Sequence, residues 1–503
     1  MKKIKNIFIY SLISLMVSFP IFSLNVYAEE YVPIDTRNPD EPAYSTEEDV
    51  EKAKKMEIQS NSWENWPKGP KTYGEAGIVM DADTGAILYA KNIDGLAYPA
   101  SITKILATLV ALENGKMEDT VTVAPESLEG LEGGYAHIGL KKGEEISFDD
   151  TLHAVLLASA NEAAHALGSS VGEGYEWFIQ RMNTRAKELG ATSSNFVNTN
   201  GIHADDHYTT AKDMALITQE LYNNYPEFQK ICQTLQYTID STNKTKQSRT
   251  FQQSHMMFYE GSQYFDSRVV AGKTGYTYPA KNTLVTCTDN ENMRLIVVVL
   301  KTHGKNVYKD TKKLIDYGYE NFEKIDVSQY ETSEEIVGFS GNTEVVVPKE
   351  VVFDELEMEL VTTEGSESAQ AIYTYNGQLV GKVGATIKVQ QVEDTEAKES
   401  GEIVEKGLSI VKKIAMVFII VAVLFALFLI VLLIYRQKKI MERKRRREER
   451  KRRYMREMER RERVMRTMNE RDREAFRKEM ERRDREVAMR NAKRRQEMRE
   501  KRR

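Results

Sequence analysis

An uninterrupted apolar run at 414–435 divides this chain and restricts how the rest of it can fold. The run contains 22 residues and no charged side chain. A helix of that length extends roughly 33 Å, and the hydrocarbon core of a bilayer is roughly 30 Å thick. The run therefore predicts a transmembrane helix, and the segments on its two sides are expected to fold on opposite sides of a membrane.

Charge is divided at the same place. Residues 436–503 carry 32 Lys and Arg against 15 Asp and Glu, an excess of +17, whereas residues 1–435 carry −22. The net charge of −5 for the whole chain hides this separation. Lys and Arg are enriched on the cytoplasmic flank of membrane helices. We therefore expect a basic cytoplasmic tail at 436–503 and an extracellular body at 29–413.

The N-terminus has the pattern of a secretory signal peptide. It begins with basic residues, continues through an apolar stretch and reaches Val26 and Ala28 just before Glu29. This order is typical of a signal peptide that is removed after Ala28. An uncleaved N-terminal anchor is the alternative. With cleavage, the chain is expected to be a single-pass protein of the cell membrane.

Changes in composition along the chain predict a series of segments. The polar leader is rich in Asp, Glu, Pro and Ser and is expected to be loose, whereas short β-type segments separated by turns predict a small all-β domain near the membrane. The expected segments are a signal peptide at 1–28, a leader at 29–70, the main domain at 71–326, the β domain at 333–395, a stalk at 396–413, the transmembrane helix at 414–435 and the tail at 436–503.

The order of helical and strand patterns within 71–326 predicts an α+β fold. Two apolar strands flank a turn at 81–85, and three more strands follow at 268–302. Segments with helical apolar spacing lie between them, and a closing helix is expected at 307–322. Strands, then helices, then strands again are typical of an antiparallel sheet covered by helices rather than of βαβ repeats.

Ser101 and Lys104 form the first pattern that indicates chemistry. A spacing of three residues on a helix brings their Cβ atoms onto one face, roughly 5–6 Å apart. A serine hydroxyl is a weak nucleophile at neutral pH unless a base lies beside it, and a neutral lysine can act as that base. The same spacing recurs at Ser241 and Lys244 and at 409–412. We select Ser101 because it alone follows a proline and opens an apolar-faced helix.

Two further short patterns, S-x-N and K-T-G, follow along the chain. Ser159 and Asn161 interrupt two apolar helices, where a buried polar turn needs hydrogen-bond partners; a helix break closed by Asn161 is the structural alternative. Lys273, Thr274 and Gly275 form the only K-T-G sequence of the chain. They lie in an expected strand whose glycine permits a ligand backbone to approach closely, and an edge-strand lysine beside a bulge glycine is the alternative.

The order S-x-x-K, S-x-N, K-T-G is the signature of penicillin-binding proteins and serine β-lactamases. The longer phrases YPASITK, LLASANEAA, NTNGIHADDHYTTAKDMALIT and AGKTGYT resemble the low-molecular-mass D-alanyl-D-alanine carboxypeptidases more closely. This resemblance covers about 70–325 and, more faintly, 333–395, which is similar to the second domain of that family. It implies a penicillin-binding, β-lactamase-like transpeptidase fold, with 71–326 as the catalytic domain.

The resemblance also implies roles for the motif residues on the helical side of the site. Ser101 is expected to attack the carbonyl of the penultimate D-alanine of a peptidoglycan stem peptide, and Lys104 to take the serine proton. Ser159 is expected to relay a proton to the leaving D-alanine, and Asn161 to hold the peptide.

On the other side of the site, the resemblance implies that Lys273 and Thr274 meet the terminal carboxylate of the substrate, next to Gly275. Backbone N–H groups of Ser101 and Tyr276 are expected to form an oxyanion hole. Some relatives carry histidine where this chain has Tyr276, a difference that a backbone role tolerates. The implied ligands are stem peptides ending in D-Ala-D-Ala, and β-lactam antibiotics as covalent inhibitors.

Two other functions stay open at this point. A serine β-lactamase must hydrolyse its penicilloyl ester rapidly, and class A enzymes use a glutamate for that step. The nearest comparable stretch offers only Asp205 and Asp206. A non-catalytic, membrane-anchored scaffold that binds the cell wall is the second alternative. Such a scaffold has no chemical reason to retain all four of Ser101, Lys104, Ser159 and Lys273.

Neither a metal ion nor another cofactor is expected. His203 and His207 flank two aspartates, but no further ligand cluster accompanies them, so a structural role is favoured over metal binding. Cys232 and Cys287, the only cysteines, lie in the expected extracellular body. In that compartment either a disulfide or two buried thiols is compatible with the sequence.

The tail at 436–503 has no counterpart in the resemblance. Its alternating Arg and Glu are typical of a solvated charged helix, and the basic cluster at 443–447 is suited to anionic lipid. An intracellular protein is an alternative partner. Nucleic acid is not expected, because no base-reading or stacking module accompanies the charge.

Overall fold

The computed structural model describes residues 31–42, 45–129, 134–362 and 366–388. Outside the described residues lie the expected signal peptide at 1–28, the stalk at 396–413, the transmembrane helix at 414–435 and the tail at 436–503. Within the described ranges, none of the helices has the length and apolar character needed to cross a membrane.

Helices and strands occur in blocks along the described chain. The α-helices are α1 (Glu47–Lys55), α2 (Thr103–Asn114), α3 (Phe148–Leu156), α4 (Asn161–Ser170), α5 (Tyr175–Glu188), α6 (Ala211–Asn224), α7 (Pro226–Cys232) and α8 (Val307–Asn321). The strands are β1 (Gly74–Asp81), β2 (Ile87–Lys91), β3 (Thr120–Thr122), β4 (Glu145–Ser147), β5 (Gln236–Ile239), β6 (Arg249–Gln252), β7 (Val269–Thr277), β8 (Lys281–Asp289), β9 (Arg294–Thr302), β10 (Phe322–Asp326), β11 (Ile336–Ser340), β12 (Glu344–Pro348), β13 (Glu357–Thr362), β14 (Ser368–Tyr375) and β15 (Gln378–Ile387).

A five-stranded antiparallel sheet forms the centre, in the order β2-β1-β9-β8-β7. Strands β1 and β9 lie inside the sheet, and β9 is almost continuously apolar because both of its faces are buried. Successive side chains of a strand point to opposite faces. Ile296 and Val298 therefore belong to one hydrophobic core, and Leu295 and Val297 to another.

The first core lies between the sheet and the helices α2 to α7. Helix α2 runs through this core, since every side chain from Thr103 to Ala111 is buried. Helix α6 adds Met214 and Ile217 to the same cluster. A single turn of 3-10 helix, Ala100–Ile102, precedes α2 and contacts β7. The buried helix therefore holds its own N-terminus against the edge strand of the sheet.

The second core lies on the other face, where α8 packs through Leu314 and Ile315. The C-terminal strands share this core: β10 pairs with β12, and β11, β15, β14 and β13 form a four-stranded antiparallel sheet. The ring of Trp66 lies 5.4 Å from Phe322 and 6.5 Å from Tyr375. The core is thus continuous across the boundary that the sequence predicts after residue 326.

The expectation of a loose leader at 29–70 is wrong for its described part. Helix α1 is capped by Thr46, whose Oγ1 accepts a hydrogen bond from the backbone N–H of Asp49 at 3.1 Å. Trp66 is buried, and its Nε1 donates to the carbonyl of Leu88 at 2.8 Å. One large aromatic ring buries enough apolar surface to anchor a segment whose average composition is polar.

The predicted α+β class, an antiparallel sheet covered by helices, is confirmed. The two strands expected around the turn at 81–85 are β1 and β2, the three strands at 268–302 are β7 to β9, and the closing helix is α8. Helices α6 and α7 and the hairpin β5–β6 were not predicted. They lie in a stretch whose polar average masked the apolar side chains that face the core, such as Met214 and Phe228.

Both cysteines are buried free thiols. Cys232 ends α7, and its Sγ donates to the carbonyl of Gly272 at 3.5 Å. Burial raises the pKa of the Cys232 thiol to about 12, so this thiol stays protonated at neutral pH. Of the two states that the sequence allows, the structure has the free thiols.

Candidate active site

Ser101 lies in the 3-10 turn Ala100–Ile102, which we call the nucleophile turn. Ala100 adopts a φ of +52°, a left-handed conformation that alanine rarely uses. A Cβ on Gly201 would lie 1.9 Å from the Ala100 oxygen, and a Cβ on Gly275 would lie 2.9 Å from the Ser101 nitrogen. The nucleophile turn is therefore clamped between a loop and strand β7 at distances that glycine permits and larger residues do not.

Lys104 lies one helical turn beyond Ser101, as the S-x-x-K spacing predicts. Its Nζ donates to Ser101 Oγ at 3.1 Å, to Asn161 Oδ1 at 2.8 Å and to the carbonyl of Asn200 at 2.6 Å. The side chain is fully buried. The other two acceptors thus hold the amine in contact with the serine hydroxyl.

Burial holds the pKa of Lys104 well below that of a free lysine, because the charged form loses its hydration. The positive charge of Lys273 lowers this pKa further, whereas the carboxylate of Glu162 raises it. A lysine of low pKa has a substantial neutral population, which can accept a proton from Ser101. Contact and low pKa together are what a general base requires.

Ser159 and Asn161 lie at the turn between α3 and α4. Ser159 is 8% exposed and adopts a φ of +58°, a conformation that non-glycine residues retain mainly where the surroundings enforce it. The backbone N–H and the Nδ2 of Asn161 both donate to the carbonyl of Ala136, at 2.9 and 3.0 Å. Asn161 therefore closes the helix break and also directs its Oδ1 to Lys104.

Lys273 lies in β7, almost completely buried, and its Nζ donates to the carbonyl of Thr274 at 3.0 Å. Burial lowers the pKa of Lys273 to about 7. Both protonation states are therefore populated near neutral pH. A buried ammonium at this position is well suited to an anionic group of a ligand.

The remaining K-T-G residues continue along β7. Thr274 Oγ1 forms a hydrogen bond with Ser254 Oγ at 3.1 Å. Tyr276 is 48% exposed, and its ring packs edge-to-face against Tyr278 at 6.2 Å. Ser254 was not predicted, because neither its neighbours nor its spacing from Thr274 forms a recognisable motif.

Two other residues of the site were also not predicted from the sequence. Asn200 acts through its backbone carbonyl, which leaves no side-chain signature, although the phrase NTNG around it contributes to the family resemblance. Glu162 is fully buried, and its Oε1 accepts the backbone N–H groups of Ile138 and Gly139 at 2.7 and 3.1 Å. Its position next to Asn161 in the sequence is the signal that could have identified it.

His203 and His207, the two histidines weighed as metal ligands, lie in different surroundings. His203 is partly exposed and packs against Tyr98, with ring centroids 4.6 Å apart. His207 is buried and forms hydrogen bonds at both ring nitrogens, to Val197 and Thr103. No group of three or more His, Cys, Asp or Glu side chains is placed to hold a metal ion in the described part of the chain.

The three motifs meet at Ser101, through two groups of contacts. Lys104 contacts both Ser101 and Asn161 directly. The K-T-G strand approaches the backbone of Ser101 through Gly275. A serine hydroxyl beside a buried amine, with a second buried cation on the adjacent strand, is suited to acyl transfer from a substrate that carries a carboxylate. The catalytic roles expected of the individual residues stay predictions.

Comparisons with known proteins find relatives of the part of the chain that contains this site. Residues 64–304 match the sequence profile of the D-alanyl-D-alanine carboxypeptidase family. The D-alanyl-D-alanine carboxypeptidase DacF of Bacillus subtilis is 32% identical over 254 residues, which are 50% of this chain and 63% of DacF. DacC of Escherichia coli, a carboxypeptidase of the same name, is 30% identical over 268 residues, or 51% of this chain and 64% of DacC.

A solved structure shows the same fold over a longer stretch. Penicillin binding protein 5 from Haemophilus influenzae superimposes with a TM-score of 0.52 at 22% identity, covering 64% of this chain and 98% of that one. This likeness confirms the expected penicillin-binding type of α+β fold. The two curated relatives are covered over only 63% and 64% of their own length. The resemblance drawn from the three motifs is confirmed for residues 64–304, which match the D-alanyl-D-alanine carboxypeptidase family.

Proposed function

We propose that this chain is a serine-type D-Ala-D-Ala carboxypeptidase that removes the C-terminal D-alanine from peptidoglycan stem pentapeptides. The observation that carries the proposal is the contact of 3.1 Å between Lys104 Nζ and Ser101 Oγ inside a buried site. The match of residues 64–304 to the D-alanyl-D-alanine carboxypeptidase family supports the same substrate class.

The proposed reaction starts with proton transfer from Ser101 to neutral Lys104. Serine Oγ attacks the carbonyl carbon of the penultimate D-alanine, and backbone N–H groups of Ser101 and Tyr276 stabilise the negative oxygen that forms. The bond to the nitrogen of the terminal D-alanine then breaks. That nitrogen receives a proton through Ser159, and the acyl group remains on Ser101 as an ester.

The terminal carboxylate of the substrate binds along β7 in this proposal. The ammonium of Lys273 and the hydroxyl of Thr274 are its partners, and Ser254, 3.1 Å from Thr274 Oγ1, adds a second hydroxyl beside them. Hydrogen bonds from a buried cation to a carboxylate are stronger than neutral ones. A free C-terminal carboxylate is therefore the group by which the site selects its substrate.

Water completes the cycle by hydrolysing the ester on Ser101, which releases a stem peptide shortened by one D-alanine. A β-lactam follows the same first step, because its strained amide takes the place of the scissile peptide bond. Its ring opens on Ser101 and leaves a penicilloyl ester. Penicillin sensitivity is therefore part of the proposal.

The test is the intact mass of the full-length chain after addition of benzylpenicillin, together with D-alanine release from a pentapeptide ending in D-Ala-D-Ala. We expect a stable adduct of one penicillin in the unaltered chain and none in Ser101→Ala. Ser241→Ala is the matched control, because Ser241 begins a second S-x-x-K sequence in an exposed loop. Loss of the adduct in Ser241→Ala would contradict the assignment of the nucleophile.

The same measurement separates the two alternative functions. An adduct that disappears within seconds while the drug is consumed would indicate a β-lactamase. A folded chain that forms no adduct and releases no D-alanine would indicate the non-catalytic scaffold. The contact between Lys104 and Ser101 favours neither of these over the carboxypeptidase.

We also propose that the chain is a single-pass protein of the cell membrane, with its body outside and its basic tail in the cytoplasm. The apolar run at 414–435 and the division of charge around it support this topology. Protease added to intact cells should digest the body and leave a fragment that contains 436–503. Protection of the body under these conditions would contradict the topology.

The tail is proposed to position the enzyme through anionic lipid or an intracellular protein. Its excess of basic residues, clustered at 443–447, supports the first partner. Deletion of 437–503 should change the distribution of the protein over the cell surface. An unchanged distribution would contradict a positioning role.

A further inference from the structure

A buried chain of hydrogen bonds leads from the 203–210 loop to the nucleophile turn. Thr103 is completely buried in the first turn of α2, and its Oγ1 donates to the carbonyl of Ala100 at 2.8 Å. The same hydroxyl forms a hydrogen bond of 2.8 Å with Nε2 of His207. On the far side of the ring, the backbone N–H of Val197 donates to Nδ1 at 3.1 Å.

The direction of every bond in this chain is determined. The Val197 N–H is a donor, so Nδ1 of His207 must be an acceptor. Burial lowers the pKa of His207 to about 3, and the neutral ring therefore carries its one proton on Nε2. Nε2 donates to the Thr103 hydroxyl, which leaves the single hydroxyl proton for the carbonyl of Ala100.

The last acceptor of this hydrogen-bond chain belongs to the peptide bond that joins Ala100 to Ser101. A peptide unit is planar, and its C=O and N–H point in opposite directions. A hydrogen bond that fixes the Ala100 carbonyl therefore also fixes the direction of the Ser101 N–H. Ala100 needs such a restraint, because its φ of +52° is sparsely populated for alanine.

The Ser101 nitrogen lies in a narrow gap between two glycines. A Cβ on Gly201 or on Gly275 would each come within 2.9 Å of that nitrogen. The loop and the strand can approach so closely only because neither residue has a side chain. The Ser101 N–H therefore lies at the point where the K-T-G strand passes the nucleophile.

We propose that His207 and Thr103 are positioning residues that aim the Ser101 N–H at the oxyanion formed during acylation. The inference rests on the proposed function, and neither residue touches the substrate. An oxyanion donor must lie within about 2.7–3.1 Å of the oxygen it stabilises, and loss of one such donor costs about 100- to 1000-fold in rate. A donor that is misdirected rather than removed should cost less, on the order of 10- to 100-fold.

The first test compares Thr103→Val with Thr103→Ser in the full-length chain. Valine matches threonine in shape but lacks the hydroxyl, whereas serine keeps it. We expect Thr103→Val to lower the rate constant of acylation by benzylpenicillin about 10- to 100-fold, with an unchanged noncovalent dissociation constant. Thr103→Ser should stay near the unaltered rate. Equal rates for the two variants would overturn the inference.

The second test changes the other end of the hydrogen-bond chain, with His207→Gln and His207→Leu. A glutamine side chain can accept from the Val197 N–H and donate to Thr103, whereas leucine can do neither. Glutamine should therefore preserve more of the acylation rate than leucine. Combining His207→Leu with Thr103→Val should lower the acylation rate little further, because both changes interrupt the same chain of hydrogen bonds. Additive losses would overturn the inference.

The pH dependence of acylation separates positioning from a general structural effect. The bonds of Lys104 do not involve Thr103, so the midpoint of the pH profile should be the same in Thr103→Val and the unaltered chain. A displaced midpoint, or a loss that appears only in the noncovalent dissociation constant, would overturn the positioning role. If the unaltered chain itself is not acylated, the proposed function fails; if it is acylated and Thr103→Val is acylated equally fast, only this inference fails.

Discussion

Replacement of Gly201 by alanine tests whether the close approach of Gly201 to Ala100 holds the nucleophile turn in place. A Cβ at this position would lie 1.9 Å from the oxygen of Ala100, 2.3 Å from its carbonyl carbon and 2.9 Å from the nitrogen of Ser101. All three are backbone atoms, so no side-chain rotation can relieve the overlap. Gly201 also has a φ of +82°, where an L-residue is strained by roughly 1–2 kcal/mol.

The size of the effect follows from these distances. Real Cβ contacts are almost never shorter than 3.0 Å, so the peptide between Ala100 and Ser101 must move by about 1 Å, a displacement that can cost about 100-fold in rate at a reacting group. Overpacking adds roughly 1–3 kcal/mol to the backbone strain. We therefore expect Gly201→Ala to slow acylation by benzylpenicillin about 100-fold and to lower the free energy of unfolding by about 2–5 kcal/mol.

Gly190→Ala is the matched control. Gly190 has a φ of +83°, but the nearest atom to a Cβ at this position would be Leu216 Cδ1 at 3.8 Å. This variant therefore carries the same backbone strain without the overlap, and should lose about 1–2 kcal/mol of stability with no change in acylation rate. Stopped-flow acylation and urea unfolding followed by tryptophan fluorescence measure the two quantities. If Gly201→Ala matches Gly190→Ala in both acylation rate and stability, the close approach of Gly201 to Ala100 has no role in the site.

Three further predictions concern charge and packing. Burial lowers the pKa of Lys273 to about 7. Benzylpenicillin should therefore bind noncovalently most tightly below that pH, and more weakly as the ammonium loses its proton. A noncovalent dissociation constant that stays flat or falls as the pH rises through about 7 would contradict this prediction. Glu162→Gln removes the carboxylate that raises the pKa of Lys104, so the rise of the acylation rate with pH should move to lower pH, and movement to higher pH would refute the assignment of Lys104 as base. Trp66→Ala should cost about 3–5 kcal/mol of stability because the ring is buried. Trp63→Ala, at a partly exposed ring, should cost less. Equal losses in urea unfolding would show that Trp66 does not anchor the leader.

The part of the site that the sequence could predict lies within single elements. Ser101 and Lys104 meet because three residues on a helix place two side chains on one face. The K-T-G residues are neighbours on one strand, and their strand character follows from the apolar residues around them. In both cases the relevant geometry is that of the local backbone, which the motif itself encodes.

Contacts between distant segments could not be predicted in the same way. The carbonyl of Asn200, which accepts from Lys104 at 2.6 Å, lies 96 residues away in sequence. A side chain at Gly201 would overlap the nucleophile turn only because Ala100 lies against it. A carbonyl and a glycine carry no side-chain signature, so only the folded chain shows what they do.

Composition was an unreliable guide where a few residues decide the packing. The leader at 29–70 is polar on average, yet Trp66 anchors its described part in the second core. The separate β domain expected at 333–395 shares that core, since β10 and β12 pair across the expected boundary. Averages over a window miss such cases, because one large buried ring can outweigh many exposed polar residues.

The amino-acid sequence was sufficient to predict the family resemblance, the α+β class and the contact between Ser101 and Lys104. These follow from short spacings and apolar periodicity, which report the local path of the backbone. The low pKa of Lys104 depends instead on the tertiary structure, through its burial and the charges of Lys273 and Glu162. The acceptors that hold its amine also come from distant parts of the sequence. A pKa depends on hydration and on charges brought close in space, and both are set only when segments far apart in the sequence pack together.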